Sequence, residues 1–431
     1  MIKLVQNFSL ILFPAIGLAL VTFIVGVGVG ILKLPPYGVV SDTIRVAKAL
    51  RKEGLAYLGL RPVEHLRPLV FDRTGFSAPD STQSSPGVTM LISIFDGGFT
   101  GRLYSRGGEL LHEWPIDFFE LGKEYGSYRF NALIHGAAMM PNGDLIANLD
   151  GRGMYRISRC GEIVWQNEVG SHHALFVDED GAIWAPKDRA LYEADSIYGW
   201  EYEFDRITTV DASTGEETRE IDLKALVVDA GLEGLVTANR IHADDVLHLN
   251  DIEVLATEIA DAFPMFDAGD ILLNHRNLNQ IWVLDGETHA IKWWYTGAIS
   301  GAHDPDFQPD GTITVLDNRP GGPPGIRLDE VGRKGGSRIL KIDPVSRSFE
   351  TMYQSGEKST FYTPFRGKHQ ILEGGNILIA ETDRGRAIEV TPGGAIVWEY
   401  INAYDSASVV WMMDAIRYPE SYADWVNDPC P

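Results

Sequence analysis

The sequence contains very little cysteine. Cys160 and Cys430 are the only two cysteines in 431 residues, and neither belongs to a CxxC pair or to a cluster with zinc-ligand spacing. The sequence therefore predicts neither a zinc site nor a dithiol redox centre. Whether the two cysteines pair is left open, because Cys430 lies next to the carboxyl terminus.

Cationic side chains are also scarce. The chain has 37 Lys and Arg against 60 Asp and Glu, a formal net charge of −23. Nucleic-acid binding needs clustered cations, so we expect no nucleic-acid partner. A small anionic substrate remains possible, because a few convergent His and Arg side chains can hold one locally. A phosphate-binding loop is missing as well, since Gly356-Glu-Lys-Ser-Thr lacks the first glycine of that motif. We therefore expect no nucleotide donor, no cofactor and no metal.

One long hydrophobic run is present, over residues 8–32, and these 25 residues carry no charge. This length predicts an uncleaved transmembrane helix, so residues 1–34 are assigned to a membrane anchor. A cleaved signal peptide is the alternative. Residues 35–87 are predicted to form a juxtamembrane helix and a linker, with the body of the protein on the periplasmic side. Positive charges after the run favour the opposite orientation, which leaves the topology open.

A histidine recurs at the start of five similar segments, each with an apolar strand, a glycine turn and a second apolar strand. These histidines are His135, His173, His248, His303 and His369. Repetition of one unit predicts a repeat architecture, and the spacing of strands and turns predicts an all-β chain. Residues 88–418 divide into six such units, which predicts a six-bladed β-propeller followed by a tail over 419–431. The apolar stretch 406–418 is predicted to supply the strand that the first unit lacks.

The repeated histidines would face one central channel. A single histidine of this kind is usually a hydrogen-bonded strand residue, but five in register point to a functional site. Arg276 falls on the second strand of the fourth unit, and an arginine among histidines is suited to hold a sulfate, phosphate or carboxylate. A metal site is the alternative, although Asp304 and Asp306 do not obviously complete one. Four tryptophans close outer strands and are predicted to pack between units: Trp114, Trp165, Trp293 and Trp398.

Three segments resemble the bacterial arylsulfate sulfotransferases, which use no nucleotide donor. Asp245-Val-Leu-His248-Leu-Asn250 is similar to the Asp-aromatic-x-His-x-Asn strand of that family, and Ile271–Arg276 is similar to its Ile-Leu-x-Ser-x-Arg strand. Ala302-His303 with Gly311–Asn318 is similar to its Gln-His strand and the following Gly-Thr-Leu-x-Val-Phe-Asp-Asn segment. The resemblance covers about residues 88–418. It implies a six-bladed propeller that transfers sulfuryl groups between phenols through a sulfated histidine.

The resemblance also implies roles for individual residues. His303 would be the nucleophile, His248 and Arg276 would hold the sulfuryl oxygens, and His173 would assist them. Asn250, His135 and His369 are predicted to bind the substrate, an aryl sulfate or a phenol. Val246, Asp251 and Ala302 depart from the family pattern, which puts the acceptor specificity in doubt. Two other classes remain open: a non-catalytic binding or scaffold propeller, and a metal- or quinone-dependent propeller enzyme. The oligomeric state is not predicted.

Overall fold

The computed structural model describes residues 16–29, 65–116, 134–149, 153–192, 201–238, 245–320, 335–356 and 360–430. The chain separates into two units, residues 1–64 and 65–431. In the first unit, one helix (α1) is described, over residues 16–29. The predicted juxtamembrane helix lies outside the described residues.

The predicted membrane anchor is wrong, and the localisation that depends on it is wrong too. Helix α1 spans residues 16–29, about 21 Å at 1.5 Å per residue, whereas a bilayer core is about 30 Å thick. Across the described residues, no helix combines the length and the apolar character needed to cross a membrane.

The second unit is all-β. Its strands, in chain order, are β1 (Leu66–Pro68), β2 (Gly75–Ser77), β3 (Val88–Phe95), β4 (Gly98–Tyr104), β5 (Leu110–Ile116), β6 (Ile134–Met139), β7 (Leu145–Leu149), β8 (Gly153–Ile157), β9 (Ile163–Asn167), β10 (Phe176–Val177), β11 (Ala182–Tyr192), β12 (Tyr202–Asp211), β13 (Glu217–Asp222), β14 (Leu249–Val254), β15 (Ile271–His275), β16 (Gln280–Leu284), β17 (Ile291–Tyr295), β18 (His303–Phe307), β19 (Ile313–Asp317), β20 (Arg338–Ile342), β21 (Phe349–Gln354), β22 (Lys368–Ile371), β23 (Ile377–Glu381), β24 (Arg386–Val390), β25 (Ile396–Ile401), β26 (Ala403–Asp405), β27 (Ser408–Val410) and β28 (Asp414–Tyr418). The short helices are α2 (Leu223–Asp229), α3 (Glu233–Ala238), α4 (Thr257–Ala260) and two 3-10 helices, Thr382–Arg384 and Glu420–Asn427.

Six antiparallel sheets account for most of these strands. Five contain four consecutive strands each, starting at β6, β10, β14, β18 and β22. The sixth has the order β28-β3-β4-β5, so the chain's last strand pairs with an early one, Asp414 lying opposite Ile92. The prediction that the stretch 406–418 supplies the missing strand is therefore confirmed for residues 414–418. The strand that stands first in the order of each sheet contacts the first strand of the next sheet. These contacts run from β28 to β6, β10, β14, β18 and β22, and from β22 back to β28.

The fourth-strand tryptophans pack as predicted. Trp114, Trp165 and Trp293 are buried, and the indole N–H of each donates to a turn carbonyl of the following sheet. The acceptors are the carbonyl oxygens of Gly143, Ala212 and Pro344, at 3.0, 2.9 and 3.0 Å. In these three cases the indole supplies a large apolar surface and one donor, so it joins neighbouring sheets without leaving a buried polar group unsatisfied. Trp398 is buried as well, but its indole N–H has no hydrogen-bond partner within the described residues.

Two features of this unit were not predicted. Strands β1 and β2 fall within residues 62–87, which the sequence suggests is loop, and they add to β27 and β25. At the other end of the chain, Cys430 forms a disulfide with Cys160, 270 residues away in sequence. The adjoining Trp425 packs against the rings of Trp114 and His112. The carboxyl-terminal tail is therefore fastened by the disulfide to the turn between β8 and β9, and by Trp425 to strand β5.

Candidate active site

His303 begins strand β18 and is buried, with 8% of its surface exposed. Its Nδ1 lies 2.8 Å from Asn318 Oδ1 and 3.1 Å from the carbonyl oxygen of Gly301. Both partners are acceptors, so Nδ1 carries the hydrogen. Nε2 is left with its lone pair, which accepts a hydrogen bond from the backbone N–H of Arg366 at 3.2 Å. The ring is thus fixed in one neutral tautomer.

Burial and the nearby charge of Arg276 hold the pKa of His303 well below its ordinary value of 6.5. A hydrogen bond to Asn318 acts in the opposite direction but is smaller. Moving a charged imidazolium out of water costs more free energy than hydrogen bonds to these neutral partners supply. The imidazole of His303 is therefore neutral near pH 7, with an unprotonated Nε2.

His248 is held between Asp245 and Arg276. Its Nδ1 donates to the Asp245 carboxylate, and its Nε2 accepts from Arg276 Nη1 at 3.1 Å. Burial lowers the pKa of His248 despite the opposing effect of Asp245. His248 is therefore neutral at rest, and the cation at this position is Arg276. The guanidinium of Arg276 also lies 5.3 Å from the centre of the Phe365 ring.

His135 and His173 form a stacked pair next to this group. Their ring centres are 4.7 Å apart with an interplanar angle of 25°, and His173 meets His248 edge-on at 4.9 Å. The Nδ1 atoms of His173 and His172 are 2.7 Å apart. Burial, followed by repulsion from the surrounding histidines, holds the pKa of His173 well below 6.5. Four of the five repeated histidines thus come together as predicted.

The backbone at these histidines is irregular. His173 and His248 have positive φ angles of 58° and 53° and stand just before their strands rather than inside them. At the other two, the strand pairing shifts, between Ile134 and Gly136 and between His303 and Asp306. Such bulges redirect side chains next to functional sites, and left-handed non-glycine residues cost about 1–3 kcal/mol each.

Asn250 is engaged with the backbone that precedes His303. Its Nδ2 donates to the carbonyl oxygen of Ala302 at 3.0 Å, and its Oδ1 accepts from Asn274. Asn250 also lines a cavity of about 30 Å³, together with His135, His173, His303 and Arg366. The structure therefore places Asn250 at the candidate site, beside His303.

His369 lies outside the histidine group. Its Nδ1 is 3.0 Å from Asp304, and its Nε2 is 2.8 Å from Thr314 Oγ1. The cavity lining does not include its ring. The preceding residue, Lys368, contacts Asp304 at 2.7 Å and Asp251 at 3.1 Å through its Nζ. The carboxylates raise the pKa of this buried lysine well above its ordinary value.

Within the described residues, one group of three side chains could hold a metal ion: Asp304, Asp306 and His369, whose ligand atoms lie within 4.8 Å of one another. Lys368 already contacts Asp304 there. Buried carboxylates surround this group. Burial and neighbouring acids raise the pKa of Asp251 and of Asp414 to about 7.

Two site residues were not predicted as such. Asn318 appeared only as the last letter of a motif, and Arg366 was not singled out. The turn Phe365-Arg-Gly-Lys, directly before the last repeated histidine, was the available signal. A turn residue beside a predicted channel strand is a candidate for contact with a ligand.

Residues 136–403 match the profile of the arylsulfotransferase (ASST) family. Because this match covers more than half of the sequence, the chain belongs to the arylsulfotransferase family, as the resemblance predicted. No curated protein matches it.

Among solved structures, a Bacteroides caccae protein of unknown function has a TM-score of 0.45 and 11% identity, covering 73% of this chain and 94% of that one. A streptogramin B lyase has a TM-score of 0.40 and 13% identity, covering 79% and 88%. Virginiamycin B lyase from Staphylococcus aureus has a TM-score of 0.36 and 13% identity, covering 62% and 70%.

Proposed function

We propose that this chain is an arylsulfate sulfotransferase built on a six-bladed β-propeller, with residues 88–418 as the propeller and 419–431 as its tail. The six four-stranded sheets would be the blades, and their first strands would surround a central channel. The enzyme would transfer a sulfuryl group from a phenolic sulfate ester to a phenolic acceptor. The intermediate would be a sulfohistidine at His303.

One observation carries this proposal: His303 is a buried, neutral imidazole whose Nδ1–H is tied to Asn318 and whose Nε2 lone pair faces the site. A histidine serves as a nucleophile only when the attacking nitrogen is unprotonated and correctly aimed. A histidine retained only as a strand residue would not need the left-handed backbone and bulges of its neighbours.

In the first step, Nε2 of His303 would attack sulfur in line with the bond to the aryl oxygen. The N–S bond forms as the S–O bond breaks, and the donor leaves as a phenolate. In the second step, the oxygen of the acceptor phenol attacks the same sulfur and the N–S bond breaks. The departing phenolate gains one proton and the acceptor loses one, so the exchange balances without a nucleotide, a metal or a redox partner.

Charge builds up on the sulfuryl oxygens during both steps. Arg276 would supply the fixed positive charge, and His248 would keep its guanidinium in place through the 3.1 Å contact. His173 and His135 would line the space around the sulfuryl group. Removal of one preorganised donor from such a site typically costs about 10²–10³ in rate. Asn250 would position Ala302 and thereby the nucleophile. His369 would act indirectly, through its contact with Asp304, the residue that follows His303.

The experiment that tests this proposal is rapid mixing of the chain with 4-nitrophenyl sulfate. Without an acceptor, we expect a burst of one nitrophenol per site and then near-arrest. Added phenol should restore steady release. A His303→Asn variant should show neither phase. The matched control is the same change at His289, which lies in the turn between β16 and β17 and should leave both phases intact. Absence of both phases from the unmutated chain would overturn the proposal and favour a binding protein.

A further inference from the structure

Arg366 touches the candidate nucleophile from the turn that precedes strand β22. Its backbone nitrogen donates to His303 Nε2 at 3.2 Å, and its side-chain Nε donates to His135 Nε2 at 3.0 Å. It also lines the 30 Å³ cavity beside both rings. One residue therefore directs two donors, a backbone amide and a guanidinium, at the space where Nε2 would react.

The conformation of this turn is fixed from outside. Arg366 has a φ of 59°, a left-handed conformation that a non-glycine residue rarely adopts. The Nδ2 of Asn318 donates to the carbonyl oxygens of Thr363 at 2.8 Å and of Arg366 at 2.6 Å. Because the same Asn318 side chain also orients His303, it fixes the positions of the turn and of the nucleophile relative to each other. Strain that is maintained in this way is typical of functional sites.

The bond from the Arg366 amide to Nε2 occupies the lone pair that would attack sulfur. At 3.2 Å it is at the long end of the range for such bonds, so it is weak and easily exchanged. The N–S bond would form at this same lone pair, so the arrival of a sulfuryl group must displace this contact. The amide hydrogen then needs a new acceptor, and a sulfuryl oxygen would be the nearest one.

We propose that Arg366 is a catalytic residue of this site, one whose backbone N–H and guanidinium bind the sulfuryl oxygens opposite Arg276. This inference rests on the proposed function. When the N–S bond forms and the S–O bond breaks, the Arg366 amide transfers its hydrogen bond from Nε2 to a sulfuryl oxygen. Arg366 gives up no proton in either step. The amide thus donates to Nε2 in the free enzyme and to a sulfuryl oxygen once His303 is sulfated.

Arg67 provides a matched comparison. The guanidinium carbons of Arg67 and Arg366 each lie 4.4 Å from the centre of the Trp411 ring. Arg67 is paired with Asp383 at 3.2 Å and does not line the cavity at His303. Replacement of either arginine removes a cation from Trp411, but only one replacement removes a donor from the site.

The test compares Arg366→Gln with Arg67→Gln in two measurements. The first is the calorimetric affinity for inorganic sulfate, which needs no turnover. The second is the rate with 4-nitrophenyl sulfate and phenol. We expect Arg366→Gln to weaken sulfate binding more than about 10-fold and to lower kcat by about 10²–10³. Arg67→Gln should change both by less than about threefold, and Arg366→Lys should recover part of the sulfate affinity by restoring the charge.

Each outcome decides the matter. Equal effects of Arg366→Gln and Arg67→Gln on sulfate affinity would overturn the inference, whatever happens to the rate. If the unmutated chain binds sulfate through Arg366 but releases no nitrophenol, the anion-binding role stands and the proposed function fails. If the unmutated chain binds no sulfate at all, the inference about Arg366 fails. Melting temperatures of the three variants verify that each one is folded.

Discussion

Asn318 accepts a hydrogen bond from His303 Nδ1 at 2.8 Å and, through its Nδ2, holds the carbonyl oxygen of Arg366 at 2.6 Å. Asn318 fixes the tautomer of His303 and also fixes the turn whose amide, that of Arg366, bonds to His303 Nε2. Neither bond belongs to a strand ladder. The two sides of the site are joined by one buried side chain, whose loss should disturb both.

Replacement of Asn318 by Asp keeps the acceptor and removes the donor. A carboxylate next to Nδ1–H should raise the pKa of His303, because an opposite charge favours the imidazolium. In the unmutated chain this pKa is held well below 6.5, so kcat/KM should be level from pH 8 to below pH 6.5. In Asn318→Asp the acidic fall of kcat/KM should move at least one pH unit higher, and the plateau should drop about 10–100-fold.

Asn402→Asp is the control for that substitution. Asn402 is likewise buried and donates to Ser93 Oγ and to the Ile94 carbonyl, at 2.7 and 2.9 Å, away from the histidine group. It should lower stability without moving the pH profile. An unchanged profile in Asn318→Asp would argue against Asn318 as the partner that sets the state of His303.

The disulfide between Cys160 and Cys430 should contribute substantially to stability. It closes a chain segment of 270 residues, and in the unfolded chain such a cross-link removes conformational freedom. Its loss is expected to cost about 2–4 kcal/mol. The double variant Cys160→Ser and Cys430→Ser should therefore unfold at a lower urea concentration, and reductant should reproduce that shift in the unmutated chain only. Equal midpoints for the oxidised and reduced chains would show that Trp425 packing alone holds the tail.

The buried acids beyond His303 should make the fold less stable at alkaline pH. Burial, together with Asp251 and Asp304, raises the pKa of Glu253 well above 4.5, so the unfolded chain releases this proton more readily than the folded one. Stability is then lost as pH rises from 4.5 towards the folded pKa. In the unmutated chain, the backbone nitrogen of Phe307 donates to Glu253 Oε2 at 2.7 Å. The amide oxygen in Glu253→Gln can still accept this bond, but the side chain does not ionise, so stability is no longer lost as the pH rises.

We therefore expect Glu253→Gln to be more stable than the unmutated chain at pH 8, by about 1–3 kcal/mol, and nearly equal to it at pH 5. Urea denaturation at both pH values measures the difference. The surface change Glu287→Gln should give none at either pH. A Glu253→Gln chain that is less stable at pH 8 would mean that the carboxylate is ionised and favourably paired there.

Much of the fold could be predicted from periodicity. The repeated histidine, glycine and tryptophan positions predict the sheets, because each unit must bury the same faces. The closing strand Asp414–Tyr418 is predicted by the apolar character of residues 406–418. The predicted membrane anchor is wrong because, among the described residues, no helix is long and apolar enough to cross a membrane. Strands β1 and β2 escaped prediction because three residues give no usable alternation.

Four histidines of the candidate site could be predicted from the sequence, but the arrangement of the site could not. His135, His173, His248 and His303 share a sequence position, so their convergence follows from the repeat. His369 shares that position too, yet the bulge after His303 turns Asp304 towards it, and a bulge has no signature in a single sequence. Arg366 enters the site from a turn, through backbone geometry that spacing does not encode.

The most direct test of the central claim is the mass of the peptide that contains His303 after brief exposure to 4-nitrophenyl sulfate. The account predicts a gain of one sulfuryl group on His303, lost on addition of phenol and absent from His303→Asn. A sulfuryl group on another residue, or steady transfer to phenol with no sulfated histidine at any time, would contradict it.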